Sequence, residues 1–280
     1  MNTTNVADNA NRQIFDFVQR PANRRLIPGT GAYGTPFRGS LFRLSEAAAV
    51  ARQLKRRRID ALWLGSNPCL PRSLANIVDD RRGTGDFPDF QRQMDSGFFS
   101  SRRWDKQGQS SPDWNPIQEP RGNWKVYANV LAQTFGSLDA VTMANCLPWG
   151  SRTTREFIDT LGERNPALLK RALGFADELN AEIVAVLNPK LMLVPFSFGR
   201  DSQIDRVYGL GVAMSRATDL REHQVGTQEG PTFRFYVGTC CRGRIAVPTV
   251  YLPHPASLRP RKEDTRRLVS ALARALSRYL

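Results

Sequence analysis

Ala61-Leu62-Trp63-Leu64-Gly65-Ser66-Asn67-Pro68-Cys69 decides how the rest of the chain is read. The apolar run Ala61–Leu64 is too short for a helix and is cut off by Gly65 and then by an Asn-Pro dipeptide. That pattern predicts a buried strand that stops abruptly, with Asn67 held extended by the proline after it. The amide of Asn67 then lies just past the carboxyl end of the strand, where ligands bind in open α/β sheets. Three later segments repeat the pattern. Ala140–Ala144 runs into Asn145, Leu191–Val194 into Pro195-Phe196-Ser197, and Thr249–Leu252 into Pro253-His254-Pro255. Four such runs predict one sheet with one functional edge.

Between the runs lie helical patterns. Ser45 caps an expected helix from Glu46 to about Arg58, closed by Lys55-Arg56-Arg57-Arg58, where cations suit the helix dipole. Trp124–Phe135 reads as a second helix, with Val126, Val130 and Leu131 apolar. Ser151 begins a short one, and Asn165-Pro166 opens a longer one reaching about Leu187. Its stripe Leu169, Leu173, Ala176, Leu179 and Ile183 is core. Phe233–Val237 and Ile245–Val247 flank an Arg242-Gly243 turn as a hairpin whose second arm feeds the fourth strand. A final helix turns Leu268, Leu272 and Leu276 inward and Arg267, Arg274 and Arg278 outward. Strands separated by helices predict an α/β fold: a three-layer α/β/α domain around a mainly parallel, four-stranded sheet. That domain spans 13–280, after a polar tail over 1–12 expected to be disordered.

Composition narrows the partners. The 280 residues are 41% hydrophobic with a mean hydropathy of -0.42, as in ordinary globular chains. No run approaches the ~18 apolar residues of a membrane span, and Met1–Asn5 does not resemble a secretory signal. Cysteines 69, 146, 240 and 241 form no CxxC pair, and there are only two histidines, His223 and His254. No metal site or cofactor is therefore assigned, and a reduced, cytoplasmic setting and a monomer are expected. Forty Lys and Arg against 26 Asp and Glu give a net charge of +14. Such an excess favours a polyanionic partner, nucleic acid above all, although an arginine-rich genome raises the same count. Gly29-Thr30-Gly31-Ala32-Tyr33-Gly34 satisfies GxGxxG, but Pro28 before it and Pro36 after it deny it the strand–helix setting of a dinucleotide site. The segment from Pro71 to Gly122 is long, polar and studded with aromatics, which marks a functional loop.

The residues at the strand ends resemble the uracil-DNA glycosylase superfamily. Gly65-Ser66-Asn67-Pro68-Cys69 is similar to its first motif, Gly-x-Asn-Pro-Gly. Gly83-Thr84-Gly85-Asp86-Phe87-Pro88-Asp89-Phe90 resembles the Gly-Thr-Gly-Phe-Pro-Phe stretch of the mismatch-specific branch. Met143–Pro148 is similar to the Asn-x-Cys-Pro segment of the single-strand-selective branch. Asn188-Pro189-Lys190-Leu191 matches the lead into the third strand, and His254-Pro255-Ala256-Ser257-Leu258-Arg259 the closing His-Pro-Ser motif. The likeness runs from about residue 59 to 259, with all five motifs in order. Cys69 stands where the pattern has glycine, and Ala256 is inserted before Ser257.

The resemblance implies hydrolysis of the N-glycosidic bond of a deaminated base flipped out of DNA. On it, Asn67 and His254 are the expected catalytic residues, Asn67 positioning water and His254 donating to the base as it becomes an anion. Gly65, Ser66, Pro68 and Cys69 shape the base pocket. Phe87 or Phe90 stacks on the base, and Asn145 reads its edge with an amide that both donates and accepts. Ser257, Leu258, Arg259 and Arg261 are expected on DNA. The two departures support an alternative: a nucleic-acid-binding protein that keeps the fold and has lost catalysis.

Overall fold

The computed structural model describes residues 58–65, 122–145, 166–196, 217–226, 232–242, 245–254 and 262–279, with a few residues between them (13, 53, 103–104, 110–111, 117, 120, 158–159 and 162–163). The chain divides into two compact units: Arg52–Gly65, Asn115–Met143 and Leu187–Leu280 form one, and Met1–Ala51, Ser66–Trp114 and Ala144–Val186 the other. In chain order the elements are β1 (Ala61–Gly65), β2 (Arg103–Trp104), β3 (Ser110–Ser111), α1 (Trp124–Phe135), β4 (Val141–Asn145), α2 (Pro166–Leu187), β5 (Leu191–Phe196), β6 (Ala217–Val225), β7 (Phe233–Arg242), β8 (Ile245–Pro253) and α3 (Lys262–Leu276). Of the expected elements, the disordered tail, the Gly29–Gly34 loop, nearly all of the first helix, the helix at Ser151 and most of the 71–122 loop lie outside the described residues.

The fold is α/β, built on a mixed sheet in the order β4-β1-β5-β8-β7-β6. The four strands expected from the apolar runs stand side by side in it. The sheet nevertheless has six strands where four were expected, and it is mixed. β1 pairs with β5 and β5 with β8 in parallel, while β7 joins β8 and β6 joins β7 antiparallel. The cause lies in β8. The second arm of the hairpin and the fourth apolar run are one continuous strand, so the hairpin is part of the sheet and brings β7 with it. Pairing of β8 with β5 begins at Thr249, directly after Pro248. The proline thus occupies the half of β8 that has a ladder on one side only, where a missing N–H is tolerated.

β6 was not foreseen because Ala217–Val225 is polar almost throughout. It is an edge strand, so little of it needs to be apolar. Its ladder with β7 slips between Thr218 and Arg221, and Asp219 there has a φ of 52°. Asp219 stabilises this bulge itself: its Oδ1 accepts from the Thr239 backbone N–H at 3.1 Å and from Thr218 Oγ1 at 3.2 Å. A bulge bends an edge away from further strand pairing.

One core lies on one face of the sheet. Ala61 and Trp63 of β1, Val141 and Met143 of β4, Leu191 and Leu193 of β5, and Val250 and Leu252 of β8 alternate onto it. α1 meets them with Val126, Tyr127, Val130 and Leu131, and α3 with Leu268, Leu272 and Leu276. Each such large side chain contributes about 1.5–3 kcal/mol on full burial. The intervening residues Leu62, Met192, Val194 and Tyr251 are equally buried, so the sheet's other face is closed as well. That is why these strands read as unbroken apolar runs. α1 ends at Gly136, whose φ of 73° lets its N–H reach the Ala132 carbonyl at 2.9 Å. α2 begins at Pro166, as its sequence predicts, and Ala176, Leu179 and Ile183 of its stripe are buried.

The amino ends of β1 and β5 are laced together. Lys190 N–H donates to the Ile59 carbonyl, Ile59 N–H to Leu187, and Leu191 N–H to Asp60. Lys190 Nζ lies 2.7 Å from the Asp60 carboxylate. Gln53 uses both ends of its amide: Oε1 accepts from Asp60 N–H at 2.7 Å, and Nε2 donates to the Asp139 carbonyl at 2.8 Å. β1 is thereby tied to the turn before β4.

Candidate functional site

With their amino ends tied and their ladders parallel, β1, β5 and β8 finish at one edge. Phe196 of β5 stands opposite Pro253 of β8, the last residue of each strand. Trp63 stands opposite Leu193, which brings Gly65 level with Pro195, one step short of that pair. Gly65 and His254, about 190 positions apart in sequence, therefore share the carboxyl edge, with β5 between their strands. The antiparallel pair extends that edge. Tyr236 stands opposite Tyr251, so Phe233 is level with His254, and Phe233 pairs with Val225 at the end of β6.

His254 follows β8 directly and is half-buried. Burial holds its imidazole below the usual histidine range, because charging the ring away from water is unfavourable. The ring is therefore neutral near pH 7, able to donate from one nitrogen and accept at the other.

The support beneath this position comes from α1. Tyr127 is 1% exposed, and its hydroxyl donates to the Pro253 carbonyl at 2.5 Å. Its ring meets Trp63 nearly edge-on with centroids 5.3 Å apart, and Trp124 lies 5.3 Å from Trp63 on a tilted plane. Tyr127 thereby links Trp63, the middle residue of β1, to the last residue of β8. Burial raises the Tyr127 phenol far above its ordinary range, so it remains a donor at every physiological pH. Sequence reading missed Tyr127, which looks like one more apolar position of a helical stripe. Its role depends on a partner 126 residues away.

The expected residues are only partly within the described chain. Gly65 closes β1 and His254 follows β8, and the structure brings them to one edge. Asn145 is the last residue of β4, the strand next to β1; only its backbone is described. Ser66, Asn67, Pro68, Cys69, Phe87, Phe90, Ser257, Leu258, Arg259 and Arg261 lie outside the described residues.

The second histidine has a different setting. His223 lies on β6, half-buried, its ring stacked on Phe235 at 4.9 Å and 7°. Beside it, Glu222 accepts from Tyr236 Oη at 2.8 Å and from Gln224 Nε2 at 2.5 Å, and these bonds lower its carboxyl pKa. Cys240 and Cys241, neighbours on β7, are not joined in a disulfide. Among the described residues no group of three or more His, Cys, Asp or Glu side chains is placed to hold a metal ion. No described helix is long and apolar enough to cross a membrane. No protein-family model, curated protein or solved structure matches the chain.

Proposed function

We propose that this chain is a monofunctional DNA glycosylase of the uracil-DNA glycosylase type, hydrolysing the bond between a deaminated base and deoxyribose. The observation that carries the reading is His254: a half-buried imidazole, its pKa lowered by desolvation, at the carboxyl end of a central strand, on the same edge as Gly65, where the Gly-x-Asn-Pro motif begins. The fold proposed with it is three-layered, α/β/α. Burial on both faces of β1, β5 and β8 supports that arrangement.

Breaking an N-glycosidic bond leaves a cation-like sugar and an anionic base. A neutral imidazole N–H stabilises charge developing on the base O2 without delivering a full proton. One such donor is worth about 2.7–4 kcal/mol in comparable oxyanion sites. The Asn145 amide pairs with N3–H and O4 of uracil, donating to one and accepting from the other. Asn67 positions water and, as an amide, does not deprotonate it. Phe87 or Phe90 stacks on the flipped base, and Leu258 and Arg259 fill the space it leaves. Cys69 at the pocket floor bears on position 5 of the pyrimidine.

Oligonucleotides carrying uracil, hypoxanthine or xanthine, scored for alkali-labile sites, test the activity. Release of at least one base is expected. If none is released while DNA is still bound, the reading becomes that of a nucleic-acid-binding protein on this fold, as Cys69 and Ala256 suggest.

A further inference from the structure

α3 and the 3-10 turn after it carry four arginines on one exposed arc. Arg266, Arg267 and Arg274 on the helix and Arg278 in the turn are exposed, as are Ser270 and Ser277 between them. Leu268, Leu272, Ala275 and Leu276 on the opposite side are rooted in the core, and α3 packs against α1. From Arg266 to Arg278 the chain contains no acidic residue, and among the described residues none of the four arginines has an ion-pair partner.

This differs from an ordinary solvated helix face. Surface helices usually intersperse charge of both signs, because pairs at i, i+4 are mildly favourable and like charges repel. Beyond its first turn, which carries Lys262, Glu263 and Asp264, the last helix is strongly amphipathic: apolar residues face the core, and the exposed positions from Arg266 onward carry only guanidinium and hydroxyl groups. Guanidinium groups suit phosphate, since they present several donors in a rigid plane. At 1.5 Å per residue the row runs about 18 Å, the axial span of roughly five nucleotides at 3.4 Å each. The helix itself is held by the core, so little ordering is required when the row is occupied.

We propose that this arginine row is a docking track for a nucleic-acid backbone, in addition to the contacts expected from Ser257, Leu258, Arg259 and Arg261. The track recognises phosphodiester charge and not base sequence, and it lengthens the footprint of the protein beyond the flipped nucleotide. The inference rests on nucleic acid as the partner, but not on base release.

The test compares the parent with Arg267→Ala/Arg274→Ala/Arg278→Ala and with the same three positions changed to Lys, binding a labelled 20-nucleotide oligomer across a salt series. Far-UV circular dichroism and melting verify folding. If the triple alanine protein does not melt like the parent, Arg274→Ala alone is used. Each phosphate contact contributes about 0.9 to the slope of log affinity against log salt for duplex DNA and about 0.7 for a single strand. The triple alanine slope is expected to be shallower by about 2–3, and the lysine protein should keep most of the parental slope. An unchanged alanine slope overturns the track and leaves the nucleic-acid reading standing, as does a lysine protein as impaired as the alanine one. No binding by the parent at low salt overturns both. A parent that binds vesicles of anionic lipid but not the oligomer overturns the track in favour of a membrane surface.

Discussion

At the scale of single residues, His254 concentrates what is testable. Its folded pKa lies below the unfolded value, so at acid pH the unfolded chain binds the extra proton first. Its contribution to stability is complete above about pH 6.5 and falls away as the pH drops toward the depressed folded value. A parent protein should therefore lose stability over that interval relative to His254→Gln, which denaturation at stepped pH values measures. Base release should follow the same group, level at neutral pH and declining on acidification. For catalysis, His254→Ala and Asn67→Ala should each reduce base release by about 100-fold or more with little change in DNA affinity, since neither grips phosphate. Equal losses of binding and release would assign both residues to DNA contact. Tyr127→Phe removes only the hydroxyl that meets the Pro253 carbonyl. Leaving that carbonyl unmatched is expected to cost about 1–3 kcal/mol in unfolding free energy and to raise the His254 pKa as the strand end admits water. An unshifted His254 titration by NMR would show that the bond does not position the ring.

Among the elements, the bulged edge gives the sharpest expectation. A Cβ on Gly238 would come within 3.0 Å of the Thr218 carbonyl oxygen and 3.3 Å of Leu220 Cα, both backbone atoms of β6. Gly238→Ala should therefore destabilise the β6–β7 pair by about 1–3 kcal/mol, read as a lower melting temperature and faster amide exchange in β6. Exchange in β1 and β5 should be unaffected, because their ladders do not involve β6. The helices were legible for a plain reason: Leu268, Leu272 and Leu276 recur at helical spacing, and all three are buried. The strands were legible where both faces are covered, as unbroken apolar runs, and in the hairpin arms at Phe233–Val237 and Ile245–Val247, from their turn. β6 escaped notice because an edge strand with one exposed side shows neither an apolar run nor clean alternation.

For the whole molecule, the charge of +14 predicts binding to nonspecific DNA that weakens steeply with salt. Affinity measured from low to moderate ionic strength should fall log-linearly, and a flat response would remove DNA as the partner. The sequence by itself determined the α/β class, the four central strands and their abrupt ends, the last helix with its arginine face, and His254 as the histidine to watch. These are local facts, written in periodicity, in turn chemistry and in the residues before prolines. Tertiary structure alone decided that β8 pairs with β5 on one side and with β7 on the other, which brings the hairpin into the sheet, and that the polar β6 adds the sixth strand. It also decided that Gly65 and His254 share one edge, that desolvation lowers the imidazole pKa, and that Tyr127 holds the carbonyl beside it. Most of these depend on desolvation or on pairing between positions far apart in sequence, 57 residues for β5 with β8 and 126 for Tyr127 with Pro253, and such contacts leave no mark on the local pattern of either partner.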